Sequence, residues 1–476
     1  MVTHTQSLSG HETSPPAQSK FALPFILIMA VGITLAYSLW GGVPTADKMP
    51  LFIAGIVVLF AVLGAVFVAG WHLLVRPLPK GRTVSQANAL PAQGRLLLGV
   101  LITVAAFSNV IGSAWDDVWH HKYGVPFGED FFWPPHILIY TFLGAISLVA
   151  FLGLLMLMRS GKGTLQQRFR ANPIVGLLIL VGAFQLFSVP ADPIWHSLYG
   201  VEIGAWSVPH IVLLWSSLGS MFLAPLLILS TMPPRPWSSI FKLTAKDLLV
   251  LITFAFMSGL ILILLTTEWD GIENLSAASV ANLQSRPEWI LTTTLVMFGT
   301  FFATMGIRTT RRVGAATFIG LVTLGIRVLL LSLLQYTVEL TPFAALITRV
   351  ICVGVDVSYA LSFAIRKAPA SWWMSGIGAL VGMLVTLPFT GQWLVWPVYD
   401  ARNLPGVLIV GLLAACFAAF AAQYLGDRIA VGSVQTAPEP EQRQERRIMT
   451  LLAPAAFALL IAVTIAWMVT APPPNL

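Results

Sequence analysis

Long, uninterrupted apolar segments constrain the fold of this chain more than any other feature. Each runs for about 20 residues, is rich in Leu, Ile, Val, Ala and Phe, and has few or no charges. Such a segment crosses a bilayer as an α-helix, because a helix satisfies its backbone hydrogen bonds internally. The sequence therefore predicts an all-α, polytopic integral membrane protein of about 13 transmembrane helices. They are expected at 21–40, 51–75, 96–116, 135–158, 173–190, 209–231, 247–267, 288–307, 314–335, 342–364, 374–394, 404–425 and 449–471.

The composition supports this class of protein. Of the 476 residues, 57% are hydrophobic and only 10% are charged, whereas soluble domains carry about 25% charged residues. The two cysteines, Cys352 and Cys416, both lie in apolar segments, so neither a disulfide framework nor a cysteine metal motif is predicted. The sequence also lacks a Gly-rich nucleotide-binding fingerprint. Any redox reaction would therefore take electrons from an external donor or a quinol.

The basic residues predict the orientation of the helices. If the N-terminus lies in the cytoplasm, 21 of the 27 Lys and Arg residues fall on the inner side. Only Lys48, Lys122, Arg286 and Arg402 fall in outer loops. Cytoplasmic loops carry such an excess of Lys and Arg. The sequence therefore predicts a plasma-membrane protein, interpreted as bacterial, with a cytoplasmic N-terminus and an outer C-terminus. The net charge of +7 needs no nucleic-acid partner; the expected partner is the lipid bilayer, and homo-oligomer formation is left open.

The histidines divide the chain into two membrane halves. Residues 1–20 are polar and predict a mobile N-terminal tail. The first half, 21–231, contains two hairpins of the same topology, at 95–158 and 172–231, which indicate an internal duplication. The second half, 232–476, contains no histidine.

Each hairpin carries the motif Asp-x-x-Trp-His-x-x-Tyr-Gly followed by Pro-His. Five of the eight histidines lie in the two motif stretches. Asp and His four residues apart face the same side of a helix. The Gly is a plausible helix stop and the Pro suits a helix start, which returns the second His to the same depth. The sequence therefore predicts that one Asp and two His converge at the outer end of each hairpin: Asp116, His120 and His136 in the first, and Asp192, His196 and His210 in the second.

Two imidazoles and one carboxylate suit copper, iron or zinc rather than magnesium or calcium. Three protein ligands would leave a coordination position for water, oxygen or substrate. The spacing leaves open whether the hairpins form two mononuclear sites or one dinuclear site. The alternative is a structural hydrogen-bond cluster, with the nearby aromatic residues acting as an interfacial belt. That belt would comprise Trp115, Trp119, Trp133, Trp195, Trp206 and Tyr140. Other polar residues nearby are expected to be solvated: Asp117, His121, Glu129, Asp130 and Glu202.

A second polar group is the intramembrane charge cluster Arg327, Arg349 and Asp356. An uncompensated charge at the centre of a membrane helix costs about 2.5–3.5 kcal/mol on insertion scales. Asp356 is therefore expected to pair with Arg349 or Arg327. The cluster could serve an anionic ligand or a proton pathway, or it could be a purely structural ion pair.

The Asp-x-x-x-His motif with its second His resembles a metal site in the membrane-embedded part of the copper membrane monooxygenases, the particulate methane and ammonia monooxygenase family. The resemblance is confined to the two short motif stretches. Asp192, His196 and His210 match best, whereas Asp116, His120 and His136 match with a longer loop. The resemblance implies a copper site and the oxidation of a small apolar molecule by dioxygen.

Several functions are consistent with these features. The first is a membrane metalloenzyme, a copper- or iron-dependent oxygenase or hydroxylase that acts on a small apolar substrate at the outer face. The second is a metal transporter or metal-delivery protein. The third is a haem or quinone redox protein with His136 and His210 as axial ligands, although haem accounts for neither Asp116 nor Asp192. A partner-binding scaffold is the fourth. The sequence assigns no catalytic residue and no organic cofactor.

Overall fold

The structure is a computed structural model in which the regular secondary structure of the described residues is helical. One isolated β-bridge joins Ser238 and Arg312. The prediction of an all-α chain is confirmed for this part of the sequence. The described residues are 46–81, 83–84, 88–123, 133–160, 163–190, 194–195, 208–233, 235–238, 242–266, 289–334, 343–386, 388, 404–430 and 439–470, together with 22, 24–26, 28–29 and 32.

The helices follow the apolar segments of the sequence, and two of them, α1 and α13, continue into π-helical turns at Trp71–Val75 and Ile448–Leu452. In chain order they are α1 (Met49–Gly70), α2 (Ala92–Tyr123), α3 (Pro134–Arg159), α4 (Leu165–Ala171), α5 (Pro173–Ser188), α6 (Val208–Leu229), α7 (Ala245–Thr266), α8 (Trp289–Thr310), α9 (Ala315–Leu333), α10 (Phe343–Arg366), α11 (Trp372–Thr386), α12 (Leu404–Ala430), α13 (Glu439–Arg447) and α14 (Ala453–Thr470).

Within the described residues, 10 helices are long and apolar enough to cross a membrane, or up to 11 if the bent pair α4–α5 is one span. That pair bends by 110° between Ala171 and Pro173. The multi-pass architecture is thus supported, but a total of thirteen is not confirmed. Most of the predicted span 21–40 lies outside the described residues. The predicted span 374–394 corresponds to α11, whose 15 described residues would extend only about 22 Å, less than the hydrocarbon thickness of about 30 Å.

Small residues bring the helices of the second half close together. One face of α12, which packs along α8, buries Ala415, Ala418, Ala422 and Gly426. The contact between α10 and α11 is closer still. A Cβ at Gly354 would collide with the carbonyl oxygen of Gly378 on α11. Membrane helices associate through such small-residue faces because close packing, rather than the hydrophobic effect, drives their association.

The basic segments that the sequence assigns to one side of the membrane meet at one end of the bundle. Gln166 Nε2 donates hydrogen bonds to the carbonyl oxygens of His72 and Arg76, each at 2.9 Å. Arg95 Nη1 donates to the carbonyl oxygen of Ser230 at 3.1 Å. We call this end, defined by Arg76, Arg95, Arg235, Lys246, Arg308, Arg311 and Arg312, the basic end.

Arg308, in the last turn of α8, holds several elements together at the basic end. Its Nε donates to the hydroxyl of Tyr359 on α10 at 2.7 Å, and its Nη2 donates to the carbonyl oxygen of Ala370 at 2.6 Å. Its Nη1 lies 3.2 Å from Asp427 Oδ2 on α12. The guanidinium also lies 5.2 Å from the ring centroid of Trp237, a cation–π contact. Sequence analysis counted Arg308 only as a charge in an inner loop.

Candidate metal site and buried charges

A glycine allows the first hairpin to bring its polar residues together. Gly112 lies on α2, one helical turn before Asp116. A Cβ at Gly112 would lie 2.8 Å from Leu138 Cβ and 2.9 Å from the carbonyl oxygen of Pro135. The start of α3 therefore packs almost directly on the backbone of α2. Pro135 suits this position because the first turn of a helix needs no donor from it.

The close packing places Asp116 beside His136. His136 Nε2 lies 3.1 Å from Asp116 Oδ1, and each side chain is about one-fifth exposed. Two of the three predicted ligands of the first hairpin are thus in contact, although they are separated by 20 positions in sequence. Two donor atoms bound to one metal at about 2.1 Å, at roughly a right angle, lie about 3 Å apart. The observed separation therefore fits joint ligation, and it equally fits a direct hydrogen bond.

Replacing Gly112 by alanine is expected to disturb this pair. The added methyl group would meet the backbone of α3, so the start of α3 would have to move away from α2 and carry His136 with it. We expect a loss of stability of about 1–3 kcal/mol, as is typical of overpacking. The thermal unfolding temperature of the purified variant measures this loss. Gly144→Ala on α3 is the matched control, because no heavy atom lies within 4 Å of the position that its added Cβ would occupy. Equal behaviour of the two variants would contradict the packing argument.

Tryptophans form a buried wall beside the pair. Trp115, Trp119 and Trp133 are each at most 5% exposed. The ring centroids of Trp115 and Trp119 are 5.0 Å apart, those of Trp119 and Trp133 are 5.5 Å apart, and Trp133 lies 5.7 Å from the His136 ring. The interpretation of these three tryptophans as an interfacial belt is therefore wrong; they pack inside the bundle because α14 covers them, with Trp467 6.0 Å from Trp115. A wall of this kind limits water and strengthens electrostatic interactions at the pair.

The structure does not bring together three predicted ligands, because several lie outside its described part. The side chains of His120 and His121 are not described, and neither are Asp192, His196, Glu129, Asp130, Trp206 and Glu202. His210 is described on α6, where it is partly buried. No group of three or more His, Cys, Asp or Glu residues suited to a metal occurs among the described residues. Each predicted triad has at least one member beyond them, so convergence of the triads stays a prediction.

Arg327 forms a buried ion pair that sequence analysis assigned differently. Its Nη1 donates to Asp117 Oδ2 at 2.8 Å, and the two side chains are only 9% and 6% exposed. The pair joins α9 to α2. Asp117 was expected to be solvated and Arg327 was a candidate partner of Asp356; both expectations are wrong. The signal was the pair of successive aspartates, since neighbouring residues on a helix point about 100° apart. Asp116 therefore faces His136 while Asp117 faces the bundle interior.

Asp356 on α10 is bound by the start of α9 rather than by an arginine. Its Oδ1 accepts from the backbone N–H of Gly314 at 2.7 Å, and its Oδ2 accepts from that of Thr317 at 2.6 Å. The expected pairing with Arg349 or Arg327 is thus corrected. A helix N-terminus has unsatisfied N–H groups and a partial positive charge, and the N-cap residue Gly314 has no side chain to satisfy them. Asp356 takes that role from a neighbouring helix.

Arg349 does not join the predicted charge cluster. It is partly buried on α10, where its Cα lies 2.9 Å from the position of a Cβ added to Gly320 of α9. No ion pair of Arg349 occurs within the part of the chain that the structure describes. The three charges therefore have three different environments and do not form one site.

Comparison of the chain with protein-family models, with curated proteins and with solved structures gives no match. The resemblance to the copper membrane monooxygenases accordingly stays a prediction that rests on the two motif stretches.

Proposed function

We propose that this chain is a membrane metalloprotein whose duplicated hairpins bind copper, with iron or zinc as the alternative metal, at the outer face of the membrane. In this proposal the chain crosses the membrane thirteen times, with a cytoplasmic N-terminus. The observation that carries the proposal is the contact between Asp116 and His136 at 3.1 Å. A carboxylate and an imidazole at helix ends, beside a water-poor tryptophan wall, are a donor set suited to such metals.

Each hairpin supplies its own ligands in this proposal. Asp116, His120 and His136 hold one metal, and Asp192, His196 and His210 hold the metal of the second hairpin. Copper, when bound, supplies the one-electron and dioxygen chemistry that no side chain of this chain can supply. The tryptophan wall excludes water beside the site. A small apolar substrate reaches it through the bilayer, and the reaction is an oxygenation or hydroxylation with electrons from an external donor or a quinol.

Metal transport or delivery is the second candidate function, and one observation favours it. Asp117 directly follows Asp116 and pairs with Arg327 inside the bundle. Charged side chains therefore continue inward from the outer pair, as transport pathways require. Uptake of copper by proteoliposomes, set against consumption of dioxygen with a small alkane or aromatic substrate, distinguishes transport from oxygenation. An absorbance band typical of haem in the purified protein would instead favour the haem alternative.

The metal content of variants tests the proposal. In detergent-purified protein loaded with copper and desalted, His136→Ala and His210→Ala each remove one imidazole. If the hairpins hold separate metals, each variant is expected to lose about half of the bound copper; if they share a dinuclear site, each loses nearly all of it. The double variant is expected to fall to background by elemental analysis. His72→Ala is the control, because His72 lies at the basic end and contacts Arg76. A double variant that keeps its full metal content would sink the proposal.

A further inference from the structure

A cavity of about 260 Å³ opens at the basic end, far along the bundle from the His136 pair. Its apolar wall includes Leu229, Ile429 and Ala430, and its polar lining comprises Arg235, Thr309 and Arg311. Leu229, Thr309 and Ile429 belong to the last turns of α6, α8 and α12. The cavity therefore lies where these three spans end, at the depth of the lipid headgroups.

The carboxylates near this cavity already have partners. Asp247 lies 2.6 Å from Arg235 and also accepts hydrogen bonds from the backbone and hydroxyl of Thr244, both at 2.8 Å. Asp427 lies 3.2 Å from Arg308. A third carboxylate, that of Glu445, lies 2.6 Å from Lys246. These three acids thus neutralise other basic residues than Arg311 and Arg312.

Arg311 and Arg312 lie beside the cavity without a carboxylate within ion-pair distance among the described residues. Their hydrogen bonds go to backbone carbonyl oxygens. Arg311 Nη1 donates to Arg235, whereas Arg312 Nη1 donates to Pro236 at 2.9 Å. The carbonyl groups at helix C-termini attract cations, which accounts for these contacts. Each guanidinium has five N–H donors, however, and Arg311 Nε is buried without a hydrogen-bond partner.

The electrostatics of this group favour an additional anion. Burial lowers the pKa of the Arg311 guanidinium; the charge of Asp427 opposes this shift, and those of Arg235 and Arg308 add to it. Burial likewise lowers the pKa of Arg312, and the charge of Arg235 adds to the effect. Both guanidinium groups remain charged at neutral pH. Two partly buried positive charges near a third therefore lack a counter-charge that the protein could have provided.

The backbone directs Arg311 into this position. Arg311 has a φ of 54°, in the left-handed region that a residue with a side chain seldom adopts. The turn is held by two hydrogen bonds to the loop that follows α6. Ser238 N donates to the carbonyl oxygen of Arg311 at 3.1 Å, and Val313 N donates to that of Ser238 at 3.4 Å. The loop and the turn thus fix Arg235 and Arg311 on the same cavity.

We propose that this cavity binds a phosphate group, with the guanidinium groups of Arg235, Arg311 and Arg312 as its donors. Arginine suits phosphate because its planar group forms paired, charge-assisted hydrogen bonds. The apolar wall fits the glycerol and acyl portion of a phospholipid, and basic pockets between helices at the membrane surface bind such headgroups. An anionic phospholipid is therefore the expected source, and free phosphate is the other source of the same chemistry.

The test compares lipid and phosphate with matched variants of the full chain. The protein is placed in nanodiscs of phosphatidylcholine with or without phosphatidylglycerol, and in detergent with inorganic phosphate or with chloride at equal ionic strength. Thermal unfolding and native mass spectrometry measure binding. We expect retention of phosphatidylglycerol to fall by about tenfold or more in Arg311→Gln, because charge-assisted hydrogen bonds are the strong ones. Arg366→Gln removes one exposed charge at the end of α10 and is expected to change little.

A second variant keeps the test decisive if Arg311→Gln does not fold. Ala430→Trp places an indole in the cavity and leaves every charge in place, so it should also reduce retention. Stabilisation by phosphatidylglycerol alone assigns the site to a lipid, whereas equal stabilisation by inorganic phosphate assigns it to the free anion. The proposal is overturned if neither probe stabilises the protein relative to phosphatidylcholine and chloride. It is also overturned if Arg311→Gln and Arg366→Gln lose phosphatidylglycerol to the same extent.

Discussion

Replacing Asp117 by leucine is expected to destabilise the protein by roughly 3–5 kcal/mol, because it leaves the buried charge of Arg327 without its counter-charge. Arg327→Met should cost a similar amount for the same reason. The double variant removes both charges and should recover most of the loss, since an apolar pair of similar volume often replaces a buried ion pair without cost. Chemical or thermal unfolding of the four proteins in detergent gives the coupling energy of this cycle.

The control for this cycle is an exposed carboxylate. Asp427 also lies beside an arginine, but its side chain is 40% exposed, so Asp427→Asn should cost no more than about 1 kcal/mol. If Asp117→Leu and Asp427→Asn have equal effects, burial does not determine the strength of the pair. If the double variant is less stable than either single variant, the two residues are not coupled as the structure places them.

Replacing Gly354 by alanine is expected to cost at least about 3 kcal/mol, the upper end of the usual range for overpacking. The new Cβ would collide with the carbonyl oxygen of Gly378, and a backbone atom cannot rotate away as a side chain can. The α10–α11 pair would have to separate, which also affects the bond from Ser358 Oγ to the carbonyl oxygen of Met374. A large fall in unfolding temperature, or failure to recover folded protein by size-exclusion chromatography, checks this.

Gly325→Ala on α9 is the matched control, and its expected effect has the opposite sign. No heavy atom lies within 4 Å of the position of its added Cβ. Alanine should therefore stabilise the helix by about 0.5–1 kcal/mol, because glycine loses more backbone entropy on folding. A stabilising effect of Gly354→Ala would contradict the close approach of α10 and α11.

The sequence predicts most helices because apolar length alone decides where a chain can span a bilayer. Pro173 marked the start of α5 correctly, since proline is favoured in the first turn of a helix. The sequence did not reveal the bend before it, which tertiary hydrogen bonds stabilise. Asn172 Oδ1 accepts from the backbone N–H of Leu90 at 2.6 Å, and Asn172 Nδ2 donates to the carbonyl oxygen of Asn88 at 2.8 Å. Partners 82 and 84 positions away cannot be read from local spacing.

The polar residues were predicted in kind but only partly in their partners. The contact between Asp116 and His136 follows from a hairpin, which is a local arrangement, and the motif spacing indicated it. The pairing of Asp117 with Arg327 spans 210 positions and depends on which face α2 turns toward α9. Helical periodicity places the two aspartates on different faces but does not say which face is buried. The same limit applies to Asp356, whose partner is a helix end and carries no charged side chain.

The outermost described helix has a consequence for the bilayer itself. The segment Met49–Val75 has 27 residues and a mean hydropathy of 3.0, and none of its residues is buried within the described part of the chain. At 1.5 Å per residue it extends about 40 Å, which exceeds a hydrocarbon thickness of about 30 Å. Gln166 holds one end of it and Trp195 contacts Phe52 at the other, with ring centroids 5.8 Å apart. Hydrophobic mismatch must therefore be relieved by tilt or by local thickening of the membrane, so lipid chain length acts on this protein through α1.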